Sequence, residues 1–205
     1  LLLPLQHMWS LSLEEQFYLI FPIFILMLFK LLKDNLEIAL FLCLFVSLTL
    51  AHYEATNLGS SSYYFLHTRL WEFLSGALLS IFELRRSDKT KYLFFQSAAP
   101  FFGSFLIILG VIIAGKETEH PSLYTTIPVF GTCLIILFSN KKNVITKILS
   151  IRILIWLGVL SYSLYLWHFP LFAFYRIYFA GNDSLLLRLV LALLLIFLSI
   201  TTYFL

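Results

Sequence analysis

Seven apolar runs decide what this chain can fold into. They fall at about 16–32, 36–53, 63–82, 97–115, 124–139, 155–179 and 184–205. A bilayer core of about 30 Å takes roughly 20 apolar residues in helical form. Within hydrocarbon every backbone N–H and C=O must be satisfied inside the protein, so unbroken runs of this length read as helices. Composition agrees: 60% of the 205 residues are hydrophobic and only 12% are charged, against about 25% charged in ordinary soluble domains. The expected fold is therefore all-α, a polytopic transmembrane helical bundle with about seven spans. The fifth run is short and the sixth is broken by polar residues.

The charges fix an orientation. Lys30 and Lys33 lie between the first two runs; Arg85, Arg86, Lys89 and Lys91 lie in RRSDKTK; Lys141, Lys142, Lys147 and Arg152 follow the fifth run. These fall in every second connection. The alternate connections, 52–62, 116–123 and 180–183, hold a single Lys together with Glu54, Glu117, Glu119 and Asp183. Lys and Arg collect on the cytoplasmic side, so residue 1 is expected outside and residue 205 inside. RRSDKTK itself reads as a solvated loop, or as a dock for anionic lipid or a phosphorylated donor. The net charge of +3 gives no sign of a nucleic-acid partner. Cys43 and Cys133 sit in apolar runs and read as packing residues. The N-terminus lacks Met and a basic region, and the C-terminus stops within an apolar run, so both ends look cut from a longer protein.

Three places carry polar groups that a simple anchor does not need, and ionisable groups inside a membrane usually mark function. The first is WSLSLEEQFY. Ser12 and Glu15 have capping-box spacing, which explains Glu15 and not Glu14. In a helix starting there, Glu14, Tyr18 and Phe21 share a face, expected to point into the bundle, and Pro22 is expected to kink it. The second is HTRLWEFLSG. Arg69 and Glu72 are three apart and form either a self-neutralising structural pair or a site in which Arg69 holds a carboxylate or phosphate. Gly76 is expected to admit a neighbouring helix. The third is LGVLSYSLYLWHFP, where Ser161, Tyr165 and His168 form a polar stripe and Pro170 frees the carbonyl of Leu166. That stripe reads equally as a hydrogen-bonded core histidine or as a functional one. Five scattered His give no metal-ligand constellation, and no nucleotide loop or G-x-S-x-G elbow is present. A membrane enzyme and a transporter fit these residues equally well.

Three motifs in order separate them. The stretch His7 to Tyr18, HMWSLSLEEQFY, resembles the "H-x-W-S-L-S-x-E-x-Q-F-Y" signature of the membrane-bound acyltransferase-3 family, the O-antigen acetylase type. Arg69-Leu70-Trp71-Glu72-Phe73 with Gly76 resembles its "R-x-W-E-x-x-x-G" segment. Leu157-Gly158 with Ser161 to Pro170 resembles its "L-G-x-x-S-Y-S-L-Y-L-W-H-x-P" segment. Together they extend over nearly the whole chain.

The resemblance implies a bacterial inner-membrane domain of about ten helices, of which residues 1–205 are the C-terminal part. It implies O-acyl transfer, commonly acetyl from acetyl-CoA as a substrate rather than a bound cofactor, onto a hydroxyl of an envelope polysaccharide or glycolipid. Partners are then the lipid bilayer and that acceptor. The family's first helix carries an Arg and a His thought central to transfer, and neither is in this sequence. On the residues present, Glu14 and a supporting His168 are the expected catalytic groups, with Trp9, Tyr18, Arg69, Glu72, Ser161, Tyr165 and Trp167 toward the substrate. The alternatives are a glycan or lipid transporter and a fragment without activity of its own.

Overall fold

The computed structural model describes residues 4–85, 93–113, 120–178 and 184–204. Regular structure there is helical: α1 (Trp9–Leu32), α2 (Leu36–Leu58), α3 (Leu66–Arg85), α4 (Leu93–Ile113), α5 (Thr126–Phe138), the short α6 (Val144–Leu149), α7 (Arg152–Tyr178) and α8 (Leu185–Phe204), with 3-10 turns such as Gln6–Met8 and Gly59–Tyr64. The all-α expectation holds. Four stretches are long and apolar enough to cross a membrane: Gln6–Leu32, Leu36–Asn57, Arg152–Tyr178 and Leu185–Phe204. The chain is a membrane protein. Two of the seven expected runs form apolar helices that are shorter, Ser97–Ile113 and Leu123–Phe138. The third, α3, carries Arg69, Glu72, Glu83 and Arg85 along its 20 residues, and that charge takes it below the apolarity of a lone span. Arg86, Lys89, Lys91 and the connections 116–119 and 180–183 lie outside the described residues.

The chain divides into two compact units, one of Leu1–Ser12 with Leu149–Leu205 and one of Leu13–Ile148. In the larger unit, α2 and α3 pack through small residues. Ser47, Ala51 and Ala55, spaced one turn apart on α2, are buried with Leu40, and α3 buries Thr68, Trp71 and Leu74. Small side chains at such spacing let two helices approach closely where lipid supplies no hydrophobic drive. Ser47 then bonds directly to the partner helix. Its Oγ donates to the carbonyl of His67 at 2.6 Å and accepts the N–H of Trp71 at 3.0 Å. These are the two groups that an α-helix joins at i and i−4, so one hydroxyl braces a turn of α3 from outside it. Polar contacts close both ends of this hairpin, a hydrogen bond between His67 and Glu54 at 2.9 Å and an ion pair between Arg85 and Glu37 at 3.1 Å.

Helices α4 and α5 meet backbone to backbone. A methyl added at Gly103 would stand 2.5 Å from the carbonyl oxygen of Gly131, and one at Gly131 would stand 2.6 Å from that of Gly103. Two turns along α4, Gly110 lies against the ring of Pro128. The close approach expected at Gly76 is absent, since a methyl there meets nothing within 4 Å. Among the described residues the glycine-mediated contact is made by α4 and α5.

The start of α1 also departs from expectation. The helix begins at Trp9 behind the turn Gln6–Met8, so Ser12 and Glu15 lie within it and make no capping box. It ends where Lys33 adopts a φ of 30°, the left-handed conformation that closes many helices.

In the smaller unit α7 packs on α8, and the indole N–H of Trp167 donates to the hydroxyl of Thr202 at 2.9 Å. The Ser199 hydroxyl is buried and turns back to the carbonyl of Leu195, which satisfies it where no water reaches.

Candidate functional site

The smaller unit gathers His7, Ser10, Tyr165 and His168. Tyr165 and His168 lie three apart on α7 and so project from one face. The segment before α1 brings His7 against them. Its ring centroid is 5.0 Å from that of Tyr165, 5.3 Å from His168 edge-on, and 4.9 Å from Phe169, on which it stacks. His7 is buried, and neither ring nitrogen has a hydrogen-bond partner among the described residues. Buried polar atoms left in that state are rare in proteins.

Tyr165 holds the arrangement. Its hydroxyl donates to the backbone carbonyl of His7, which uses its one proton. The Ser10 hydroxyl, 2.5 Å away, must therefore be the donor in their shared bond. Through one phenol, α7 fixes both the turn that carries His7 and the first turn of α1. Tyr165→Phe removes both bonds and leaves the His7 carbonyl unmet, at a cost of about 1–3 kcal/mol. Thermal denaturation of the purified protein checks this, and an unchanged melting temperature would show that the phenol is idle.

The tautomer of His168 follows from its partners. Nδ1 lies 2.6 Å from the carbonyl oxygen of Tyr165 and 3.2 Å from that of Leu164. Carbonyls only accept, so Nδ1 carries the proton and Nε2 presents a lone pair in the neutral ring. An imidazole held this way by its far nitrogen is ready to accept a proton from a hydroxyl. The carbonyl that Pro170 releases is that of Leu166; the histidine uses those of the two preceding residues, Tyr165 and Leu164, instead. Beside His168, a groove of about 190 Å³ runs along α7, lined by His168, Phe169, Phe172, Ala173 and Arg176.

The remaining candidates are dispersed. Ser161 does not join the stripe, since it is exposed and its hydroxyl donates to the carbonyl of Gly158 at 2.7 Å in its own helix. Trp167 faces α8 through Thr202. Trp9 opens α1 half-buried. In the larger unit, Arg69 and Glu72 form the expected pair at 3.5 Å, and the guanidinium also lies over the ring of Tyr63, 4.0 Å from its centroid. A cation on an aromatic face and beside a carboxylate is held on two sides.

Glu14 and Tyr18 do not take the inward face expected of them, for both are exposed. The packed face of α1 is one residue earlier, at Leu13 and Phe17. Phe17 stacks on Phe73 of α3 with centroids 4.5 Å apart and on Phe21 at 4.6 Å. One residue is a rotation of about 100° in an α-helix, so burying this aromatic stack turns Glu14 off the packed surface.

His7 was not among the expected site residues, although it opens the first motif. Sequence spacing cannot place it beside His168, because 161 positions separate the two. Among the described residues no group of three His, Cys, Asp or Glu could hold a metal ion.

Comparison with known proteins bears on what these groups do. The family model described as an acyltransferase domain matches residues 1–204. The peptidoglycan O-acetyltransferase OatA of Listeria monocytogenes is 31% identical over 179 residues, which is 82% of this chain and 29% of that protein. The O-acetyltransferase OatA of Staphylococcus aureus is 32% identical over 192 residues, 88% of this chain and 31% of that protein. The chain thus spans less than a third of the length of these relatives. No solved structure matches it.

Proposed function

The chain belongs to the acyltransferase-3 family, and on that premise we propose that the protein of which it is part transfers an acyl group, most simply acetyl, to a hydroxyl of a cell-envelope glycan. The observation that carries this reading is the family match along residues 1–204, with all three motifs in order. The relatives named as O-acetyltransferases, one of them for peptidoglycan, support acetyl as the group and a wall polymer as the acceptor. An acyl-CoA is the donor in this reading, and the domain sits in the bacterial plasma membrane with residue 1 outside and residue 205 in the cytoplasm.

The chemistry assigns work to the residues present. The acceptor oxygen attacks the thioester carbonyl, its proton leaves to a base, the C–S bond breaks, and the thiolate departs to be protonated. His168 supplies a lone pair at Nε2 for a hydroxyl proton, supporting a principal base outside this chain. Tyr165 positions it and His7. Arg69, braced by Tyr63 and Glu72, bears a fixed positive charge for an anionic part of a substrate. Glu14, Trp9, Tyr18, Ser161 and Trp167 remain proposed contacts to substrate or to parts of the protein beyond this chain; for Glu14 the exposed carboxylate is the supporting feature.

Mass spectrometry of envelope polymers from cells with and without the gene tests the reading. Ester-linked acyl groups are expected to vanish with the gene and return with the intact protein. Their persistence, or the absence of any acyl group on a polymer the gene affects, would favour a transporter instead. Glu14→Gln in the intact protein is expected to lower the acyl content at equal expression; full acylation would remove Glu14 from the site.

A further inference from the structure

Tyr63 lies outside all three motifs, yet the Arg69 guanidinium comes to rest over its ring, 4.0 Å from the centroid. The residues before each of them are bonded to one another. Ser62 and Thr68 are fully buried. The Thr68 hydroxyl donates to the carbonyl of Ser62 at 2.7 Å and shares its proton with that of Phe65 at 2.8 Å. The Ser62 carbonyl also accepts the N–H of Phe65 at 3.3 Å. Tyr63 follows one bonded residue and Arg69 follows the other. The turn Gly59–Tyr64 and the first turn of α3 are therefore held in one register, and that register sets the ring under the guanidinium.

These bonds hold the turn through backbone and hydroxyl groups, without using the ring of Tyr63. Tyr64 meets that ring edge-on, with centroids 5.8 Å apart, which steadies its face. The contact with Glu72 does different work. Its carboxylate reaches Nη1 of Arg69 at 3.5 Å, beyond the usual hydrogen-bond range, and an ion pair of partly exposed side chains is weak. Any hydrogen bond to a guanidinium also acts within the plane of its fork. An aromatic ring acts on the face, through its negative π surface, and so restrains a rotation that in-plane bonds leave soft.

We infer that Tyr63 is a positioning residue: its ring fixes the plane of the Arg69 guanidinium, and with it the direction in which Arg69 presents charge to an anionic group of a substrate. The use made of that charge rests on the acyltransferase reading; the hold of Tyr63 on Arg69 does not.

The test uses the purified intact protein in nanodiscs and two readouts. The first is the rate at which phenylglyoxal modifies Arg69, followed by mass spectrometry. At 20% exposure the side chain is within reach of the reagent. Phenylglyoxal attacks the unprotonated guanidine, whereas the ring covers the group and favours its cation. The variants are Tyr63→Leu, Tyr63→Phe, and phenylalanines at position 63 carrying more and more ring fluorines, which drain negative charge from the face at nearly constant shape. Tyr63→Leu is expected to react at least about threefold faster than wild type, on the scale of one cation–π contact. Tyr63→Phe should react as slowly as wild type, and each added fluorine should speed the reaction. A ring that merely fills space does not sense fluorine. Equal rates along the fluorine series, or no gain with Tyr63→Leu, would overturn the inference. Where Tyr63→Leu fails to fold, the fluorine series decides alone.

The second readout is acyl transfer from acetyl-CoA to soluble peptidoglycan strands by the same samples. Tyr63→Leu is expected to raise the KM of one substrate at least about fivefold with kcat nearly kept, the pattern of lost binding common to ground and transition states. Tyr63→Phe restores it. An active wild type whose KM values ignore both Tyr63→Leu and the fluorine series would overturn the placing of Tyr63 in the site. Fluorine-dependent modification of Arg69 in a protein that transfers nothing leaves Tyr63 as its holder and removes the enzyme reading instead.

Discussion

If His168 accepts a proton as proposed, His168→Asn is expected to lower acyl transfer by the intact protein at least about a hundredfold, within the range for losing such a group, and to leave its folded yield close to wild type. Asparagine is the informative replacement. Its amide N–H can take the place of Nδ1–H and keep the bonds to the carbonyls of Tyr165 and Leu164, so the turn of α7 stays satisfied. What disappears is the basic nitrogen at the Nε2 position. A variant that folds and still transfers at the wild-type rate would show that His168 is a packing residue joined to its own helix. A variant that fails to fold points to the ring contacts with His7 and Phe169 instead; His168→Gln, whose longer amide reaches toward the Nε2 position, then separates loss of contact from loss of base.

The second large effect is structural. Gly103→Ala or Gly131→Ala each lowers stability by about 2 kcal/mol or more, because the new methyl meets a backbone oxygen that no rotamer change can move. The double variant costs less than the sum, since either methyl alone already forces α4 and α5 apart. Gly76→Ala is the control: the same methyl meets nothing within 4 Å, and alanine favours a helix over glycine, so stability holds or rises. Denaturation of the three variants by heat or by a denaturing detergent ranks them. Equal behaviour of Gly76 and Gly131 would refute the assignment of the close contact to α4 and α5.

The glycines show what could be read from the sequence and what could not. Gly76 drew attention because it closes a polar motif, whereas Gly103 and Gly131 lie in featureless apolar runs. Only pairing in space distinguishes them, and helix pairing inside lipid leaves little periodic trace when every face is apolar. The same limit applies to α1. Spacing put Glu14, Tyr18 and Phe21 on one face, and that geometry is correct for a helix. Which face packs was decided by Phe17 and its partner Phe73, 56 positions away. Helix existence was legible because hydrocarbon permits so few backbone solutions. The start of α1 lies four residues before the one the capping box indicates, at Trp9 rather than Leu13, because a capping box is a local signal and here a turn at Gln6–Met8 begins the helix earlier. At the candidate site, Tyr165 and His168 were legible as a pair on one face. Ser161 has the same spacing, yet its hydroxyl is satisfied by Gly158 within the helix, an option open to any serine in a span.

The glycine contact between α4 and α5 also bears on how the chain enters the membrane. Thirteen residues of α5 make a rod of about 20 Å, well short of a hydrocarbon core of about 30 Å. A segment so short is a poor substrate for insertion by itself. Its neighbour α4 meets it backbone to backbone at Gly103 and Gly131, so the two can enter the membrane together as a hairpin. The order of synthesis then matters: α4 emerges first and must wait for α5.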